Sequence, residues 1–342
     1  MKKSLLVLAV LAAASGAASA QSSVTLYGKI DLGLVFDSGN ASGKSIRISS
    51  GVTGGSRLGF KGVEDLGGGT KAAFQLETGY CADSAAGAPN YCTGGNNFMG
   101  RQAHGDLTGA FGAISAGRQY SLGFNNLSTI DPFGTGFAGQ TNNVSTTGVY
   151  LVDPSGIRLN NSATYTTPSM YGLTASAEIA LGEQTGNWKA NRETGAALTY
   201  ADGPAYAGFS FYDQSSATGD GAAKKVYLLG GTYDFGVVKL HALGQKVTGS
   251  SLDFISLMGG ATIPLAGGQV LASYIRHNDR TSANQDASQM GIGYQYPLSK
   301  RTSVYTSFAK VNNQHGASFL IGNATETGTG NKSFDFGVVH NF

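Results

Sequence analysis

Residues 24–36 read V-T-L-Y-G-K-I-D-L-G-L-V-F. Val24, Leu26, Gly28, Ile30, Leu32, Leu34 and Phe36 alternate with Thr25, Tyr27, Lys29, Asp31, Gly33 and Val35. A period of two places one set on each face of a strand. Residues 333–342 repeat the pattern, with Phe334, Phe336, Val338, His340 and Phe342 set against Ser333, Asp335, Gly337, Val339 and Asn341.

The composition between these strands is unusual for a soluble domain. Charged residues make up 13% and glycine supplies 52 of 342 residues, about half and about twice the ordinary shares. The first twenty residues, M-K-K-S-L-L-V-L-A-V-L-A-A-A-S-G-A-A-S-A, combine a basic start, an apolar run and the small-x-small site Ala18-Ser19-Ala20. They predict a secretory signal peptide over 1–20, too short to span a membrane as a helix, with one domain over 21–342. Without Lys2 and Lys3, the 23 basic residues fall to 21 and match the 21 acidic ones. Bulk charge therefore predicts no nucleic-acid partner. No later stretch is long and apolar enough for a spanning helix. An export signal, few charges and alternating strands together predict an outer-membrane β-barrel, apolar toward lipid on alternate residues only.

The connections alternate in kind. Tight Gly-, Asp- and Pro-rich turns fall at 64–69, 109–112, 168–171, 201–204, 234–236, 264–268 and 297–300, where such residues supply the backbone angles. Longer polar loops cover 37–44, 81–97, 120–157, 183–191, 215–223, 247–252, 279–286 and 312–331. About sixteen strands result, with short turns on the periplasmic side and long loops outside. Aromatic residues at strand ends (Phe36, Tyr80, Tyr165, Tyr200, Tyr212, Tyr233, Tyr296) suit the two interfacial girdles.

The stretch from Gln119 to Arg158 far exceeds an ordinary connection, and long loops in compact folds are usually functional. It mixes Leu127, Ile130, Phe133, Phe137, Val149 and Leu151 with Pro132, Gly134, Gly136 and Pro154. It reads as a segment that folds back into the lumen and narrows it. Cys81 and Cys92 close a short loop; in an oxidising compartment a disulfide is the default.

Several stretches resemble the general diffusion porins of β-proteobacteria: S-V-T-L-Y-G-K-I-D-L-G-L near the start, S-R-L-G-F-K-G-V-E-D-L-G-G-G over 56–69, K-A-A-F-Q-L-E over 71–77, Gly117–Arg118, R-L-N-N-S-A-T-Y-T-T-P over 158–168, and the closing G-V-V-H-N-F. The resemblance covers the whole chain after the leader. It implies a sixteen-stranded trimeric barrel whose third external loop enters the pore, with basic residues on the wall of the eyelet and acidic ones on the loop. Asp131-Pro132-Phe133-Gly134 stands near the family's P-E-F-G, with the acid moved ahead of the proline. The resemblance also implies that the terminal aromatic, Phe342, is read by the barrel-insertion machinery, and that lipopolysaccharide and outer-membrane lipid are neighbours.

Parity nominates the lumen residues. On the second strand Ile46, Ile48, Val52, Leu58 and Phe60 share one parity, and Arg47, Ser49, Gly51, Thr53, Arg57 and Lys61 the other. Arg or Lys facing lipid near the midplane costs about 2–4 kcal/mol, so Arg47, Arg57 and Lys61 face inward. The same reasoning sends Lys29, Asp31, Lys71, Gln75, Glu77, Arg158, Asn160, Ser162 and Thr164 to the lumen. Arg101 and Arg118 lie in stretches whose alternation assigns no face, and complete the candidate constriction with the loop acids Asp131 and Asp153. Inward cations outnumber inward acids, which predicts passive diffusion of ions and small hydrophilic solutes with mild anion preference.

A barrel enzyme of protease or phospholipase type, a substrate-specific channel and a secreted β-sandwich or adhesin are the competing classes. The five histidines are scattered, and no H-E-x-x-H or G-x-S-x-G occurs. Residues 134–139 match G-x-G-x-x-G without a strand–turn–helix context, which reads as loop flexibility. No catalytic, cofactor or metal residue is assigned.

Overall fold

The computed structural model describes residues 23–40, 43–84, 98–144 and 156–342. Its strands are β1 (Ser23–Asn40), β2 (Gly43–Ser50), β3 (Arg57–Gly67), β4 (Thr70–Gly79), β5 (Gln102–Gly109), β6 (Gly112–Tyr120), β7 (Arg158–Thr166), β8 (Leu173–Ala180) and β9 (Glu193–Asp202). They continue as β10 (Ala205–Ser215), β11 (Ala222–Asp234), β12 (Lys239–Gly249), β13 (Leu252–Leu265), β14 (Gly268–Asp279), β15 (Ala287–Pro297), β16 (Thr302–Asn313) and β17 (Lys332–Asn341). Between β6 and β7 the described residues include one helix, α1 (Leu122–Ile130), and a 3-10 turn, Thr141–Val144.

Each strand except β2 pairs antiparallel with the next in sequence, and β1 pairs with β17 from Lys29↔Asn341 to Ser38↔Lys332. The sheet is therefore closed, which leaves no backbone edge for lipid to strand without partners. β2 and β3 form one interrupted stave. One half of β1 pairs with β2 (Leu32↔Ser50, Phe36↔Ile46) and the other with β3 (Ser23↔Val63, Lys29↔Arg57). The barrel thus has sixteen staves.

The polarity is inverted relative to a soluble core. On β1, Val24, Leu26, Ile30, Leu34 and Phe36 are exposed on the outside, while Asp31, Val35 and Asp37 are buried inside. On β17, Phe334, Phe336 and Val338 face out, and Ser333, Asp335 and Val339 face in. Tyr212 and Val52 are among the residues that depart from the expected faces. Tyr212 is wholly buried within the barrel, its hydroxyl accepting from Leu122 N at 2.7 Å and donating to Glu178, so it is no girdle residue. Val52 is also wholly buried. Its parity fails because the stave breaks at 51–56: Gly51 adopts φ +77° and Asp31 Oδ2 takes the amides of Thr53 (2.7 Å) and Gly54 (3.2 Å).

The segment after β6 lies against inward-facing side chains. Ser121 caps α1 by accepting from Phe124 N at 3.1 Å, and the helix stops before Asp131-Pro132, as a following proline disfavours helical geometry. α1 buries Leu127 and Ile130 against β9 to β12. Beyond it, Ala138 N donates to Ser307 Oγ (3.1 Å) and Asp335 Oδ2 (2.8 Å), and Gln289 Nε2 donates to the Gly139 and Gln140 carbonyls. Gly136 and Gly139 serve close approach, a Cβ standing 2.3 Å from the Thr53 carbonyl oxygen on the first and 2.4 Å from the Phe133 ring on the second, while Gly134 adopts φ +57° with open space around it.

A second connection turns inward. In the segment between β16 and β17, Ile321 is fully buried, Gly322 N donates to Asn143 Oδ1 (2.9 Å), and the Asn323 carbonyl accepts from Gln140 Nε2 (2.7 Å). Asn323 also donates to Ser49 Oγ at 2.9 Å. The polar composition of 312–331 predicts only a long external loop, and the burial of Ile321 departs from that.

No free cysteine occurs among the described residues. The expected Cys81–Cys92 pairing extends beyond them at Cys92, as do the leader 1–20 and Asp153.

Candidate pore constriction

Register brings Lys29 on β1 opposite Arg57 on β3, and Glu77 on β4 opposite Gly59. Glu77 Oε1 accepts from Arg101 Nε at 2.7 Å, while its Oε2 accepts from Tyr27 Oη at 3.1 Å and lies 3.8 Å from Arg57 Nη1. Arg101 Nη2 donates to Tyr120 Oη (2.7 Å), and Arg158 Nη2 donates to the same oxygen (2.8 Å). The Arg158 guanidinium also stands 4.5 Å over the Tyr120 ring, which in turn stacks on Phe124 of α1. Arg57, Arg101 and Arg158 therefore converge on one carboxylate and one phenol.

Lys29 extends the cluster. Its Nζ donates to Thr53 Oγ1 at 2.9 Å and lies 3.8 Å from Asp31 Oδ2. Asp31 is spent on structure, accepting from Thr53 and Gly54 on one oxygen and from Tyr305 Oη (2.7 Å) on the other. The charge here is four cations (Lys29, Arg57, Arg101, Arg158) against two carboxylates (Asp31, Glu77), a net of +2. A cavity of about 410 Å³ separates Lys29 and Thr53 on the wall from Thr129, Pro132 and Gly134 on the inner segment, with Lys239 also on its lining.

Other sequence candidates lie elsewhere. Arg47 is not part of this cluster: it bonds to Asp37 Oδ2 and, at 2.9 Å, to Glu326 Oε2, so two carboxylates neutralise it. Lys61 sits 5.4 Å from the Tyr27 ring centroid, farther toward the short-turn end. Arg118 stands with the outward set of Ile114 and Ala116. Gln119 opposes Leu159 while Gly117 opposes Ser162, so a bulge containing Asn160 and Asn161 faces Arg118. Its guanidinium donates to the Gly100 carbonyl (2.6 Å) and to Asn160 Oδ1, and Asn160 leaves the lumen with it.

Asp131 is turned into the inner segment and away from the open lumen. It accepts from Phe133 N (2.9 Å), Thr135 N (3.3 Å), Thr141 N (3.0 Å) and Thr141 Oγ1 (2.9 Å). Complete burial raises its carboxyl above the ordinary carboxylate range, against the pull of those donors. The exposed residues of α1 are the neutral Asn125 and Thr129. Basic wall thus faces neutral polar loop. Tyr120 and Tyr27 went unread as site residues, because a phenol within a strand carries no distinguishing sequence signal.

The model of the Gram-negative porin family matches residues 7–316. The chain is also 35% identical to outer membrane porin protein 32 of Delftia acidovorans, over the full length of both. The chain belongs to the Gram-negative porin family. This porin is 32% identical to an outer membrane porin of Bordetella pertussis, covering 91% of its own length and 94% of that protein. Its fold matches an anion-selective porin from Comamonas acidovorans with TM-score 0.80 and 29% identity, over 94% of the porin and all of that chain. These relatives are outer-membrane porins, so the porin is a protein of the outer membrane and the barrel-enzyme alternative has no support.

Proposed function

We propose that the porin passes ions and small hydrophilic solutes down their gradients with a preference for anions. The observation that supports this is the Lys29–Arg57–Arg101–Arg158 cluster, whose four cations face two carboxylates already engaged by hydrogen bonds. Fixed positive charge in a wall of low dielectric raises the local anion concentration. The segment from Ser121 to Val144 supplies the facing surface and sets the narrowest point in this reading. The porin works as a homotrimer among outer-membrane lipid and lipopolysaccharide, after removal of residues 1–20 and delivery by the barrel-insertion machinery, with Cys81 and Cys92 bridged. The likeness to an anion-selective porin agrees with the selectivity.

The test is the reversal potential across a tenfold potassium chloride gradient. The parent should give the anion-selective sign, and Arg57→Ala combined with Arg158→Ala should move the potential toward zero. A cation-selective parent would overturn the proposal.

A further inference from the structure

The outer face of the barrel carries two stacked rows where β16, β17, β1 and β2 run side by side. The first row is apolar. Phe308 pairs across to Phe334, Phe334 to Phe36, and Phe36 to Ile46, all exposed on the lipid side. The Phe36 and Phe334 rings lie 5.9 Å apart. Two residues farther along the same strands, toward the long-loop end, comes a row of different chemistry. Lys310 pairs directly with Lys332, and Lys332 with Ser38. Lys44 flanks them on β2, between the pairs Asp37↔Ser45 and Asn40↔Gly43.

Like charges placed directly opposite on one face of a sheet are destabilising. Neither lysine of the pair has a carboxylate at ion-pair distance among the described residues. The nearby acids point the other way: Asp335 and Asp37 are buried inside, and Glu326 is held by Arg47. Two other outward cations at this end do have acids, Lys225 beside Asp213 at 3.7 Å and Arg276 near Asp286 at 4.0 Å. The Lys310–Lys332 pair therefore lacks an anion that the protein itself supplies elsewhere.

The position says which anion fits. The phenylalanine row meets acyl chains, and one strand step of two residues outward reaches the headgroup layer of the outer leaflet. A phosphate monoester there carries more than one negative charge and can accept from both ammonium groups. We infer that Lys310 and Lys332, flanked by Lys44, hold a phosphate of an outer-leaflet glycolipid against the barrel, with its acyl chains on Phe308, Phe334 and Phe36. The inference rests on the outer-membrane reading above and gives its lipid neighbour a site.

The test uses the full-length porin folded in a nonionic detergent, with diphosphoryl lipid A and its dephosphorylated form as probes, and binding followed by native mass spectrometry. The parent should prefer the phosphorylated form. In K310Q/K332Q that affinity should fall roughly thirtyfold, at about one lysine's share of surface attraction per removed charge. K310R/K332R should retain it, and K225Q, whose lysine is already paired, should leave it unchanged. If the double variant folds poorly, exposed Lys332 alone carries the test, with roughly a fivefold loss expected in K332Q. Unchanged preference in folded K310Q/K332Q overturns the inference. So does unchanged lipid binding with loss of association between subunits, which would make the row a contact between copies of the chain. Either result leaves the channel reading to its own reversal-potential measurement.

Discussion

Arg101 holds Glu77 through a 2.7 Å bond from Nε to Oε1, and both side chains are almost completely buried. Glu77 is thus the carboxylate that keeps the Arg101 and Arg57 guanidiniums together, with Arg158 joined to them through Tyr120. Replacing it with glutamine preserves shape and one acceptor while removing the charge. A unit charge acting about 8 Å away at an effective dielectric of about 20 is worth about 2 kcal/mol before salt screening. Glu77→Gln should therefore raise the anion-to-cation permeability ratio severalfold at low salt and less at high salt. The same variant should unfold at lower temperature, since Arg101 loses its charged partner. An unchanged reversal potential across salt concentrations would show that Glu77 does not face the permeating ions.

Arg47 should behave in the opposite way. Its charge is balanced by Asp37 and Glu326, the latter in the segment between β16 and β17. Arg47→Gln should leave selectivity close to that of the parent. It should loosen that inner segment, since two carboxylates lose a charged donor, each such bond being worth about 1.5–3 kcal/mol. Single-channel records should show added open-channel noise with the reversal potential preserved. A large selectivity change with quiet currents would return Arg47 to the eyelet.

The contrast between Arg47 and Arg57 marks how far sequence reaches. Alternation identified both as inward, because an arginine cannot cheaply face lipid. It said nothing of partners far along the chain: Glu326 lies 279 residues from Arg47. Parity also fails where the strand does. Val52 belongs to a break stabilised by Asp31, and Arg118 faces outward beside a bulge at Asn160 and Asn161. Asp131 was legible as the acid of the inner segment but not in its direction, which depends on the backbone amides folded around it. Strands and closure were legible because a repeated period of two is a physical requirement of a lipid-facing barrel.

Asp131 itself offers a third prediction. Asp131→Ala would orphan the amides of Phe133, Thr135 and Thr141 and the Thr141 hydroxyl. An unsatisfied buried donor costs about 1–3 kcal/mol, enough to release the tip of the segment. Closure should occur at lower applied voltage in planar bilayers, with Asp131→Asn intermediate because the amide retains one acceptor oxygen. Voltage response identical to the parent in both variants would mean that contacts of the tip with Ser307, Asp335 and Gln289 suffice without Asp131.

Barrel closure can be tested at Gly28. Its backbone exchanges two hydrogen bonds with Phe342, Gly28 N to the Phe342 carbonyl and Phe342 N back to Gly28, each 3.0 Å. A Cβ at Gly28 would stand 2.3 Å from the Phe342 ring and 2.8 Å from the Arg57 carbonyl oxygen. The ring can swing away, but the carbonyl belongs to the paired backbone and must shift. Gly28→Val should therefore lower the yield of heat-modifiable protein in the outer membrane and displace the strand that carries Arg57. Phe342→Ala removes the ring and its packing over Gly28 while leaving both hydrogen bonds. If the ring is the main obstacle, combining Phe342→Ala with Gly28→Val should cost less than the sum of the two single changes, which a double-mutant cycle on denaturation midpoints measures directly. Strict additivity would assign the clash to the Arg57 carbonyl alone. A folded yield of Gly28→Val equal to the parent would show that the seam between β1 and β17 does not depend on a bare glycine at this position.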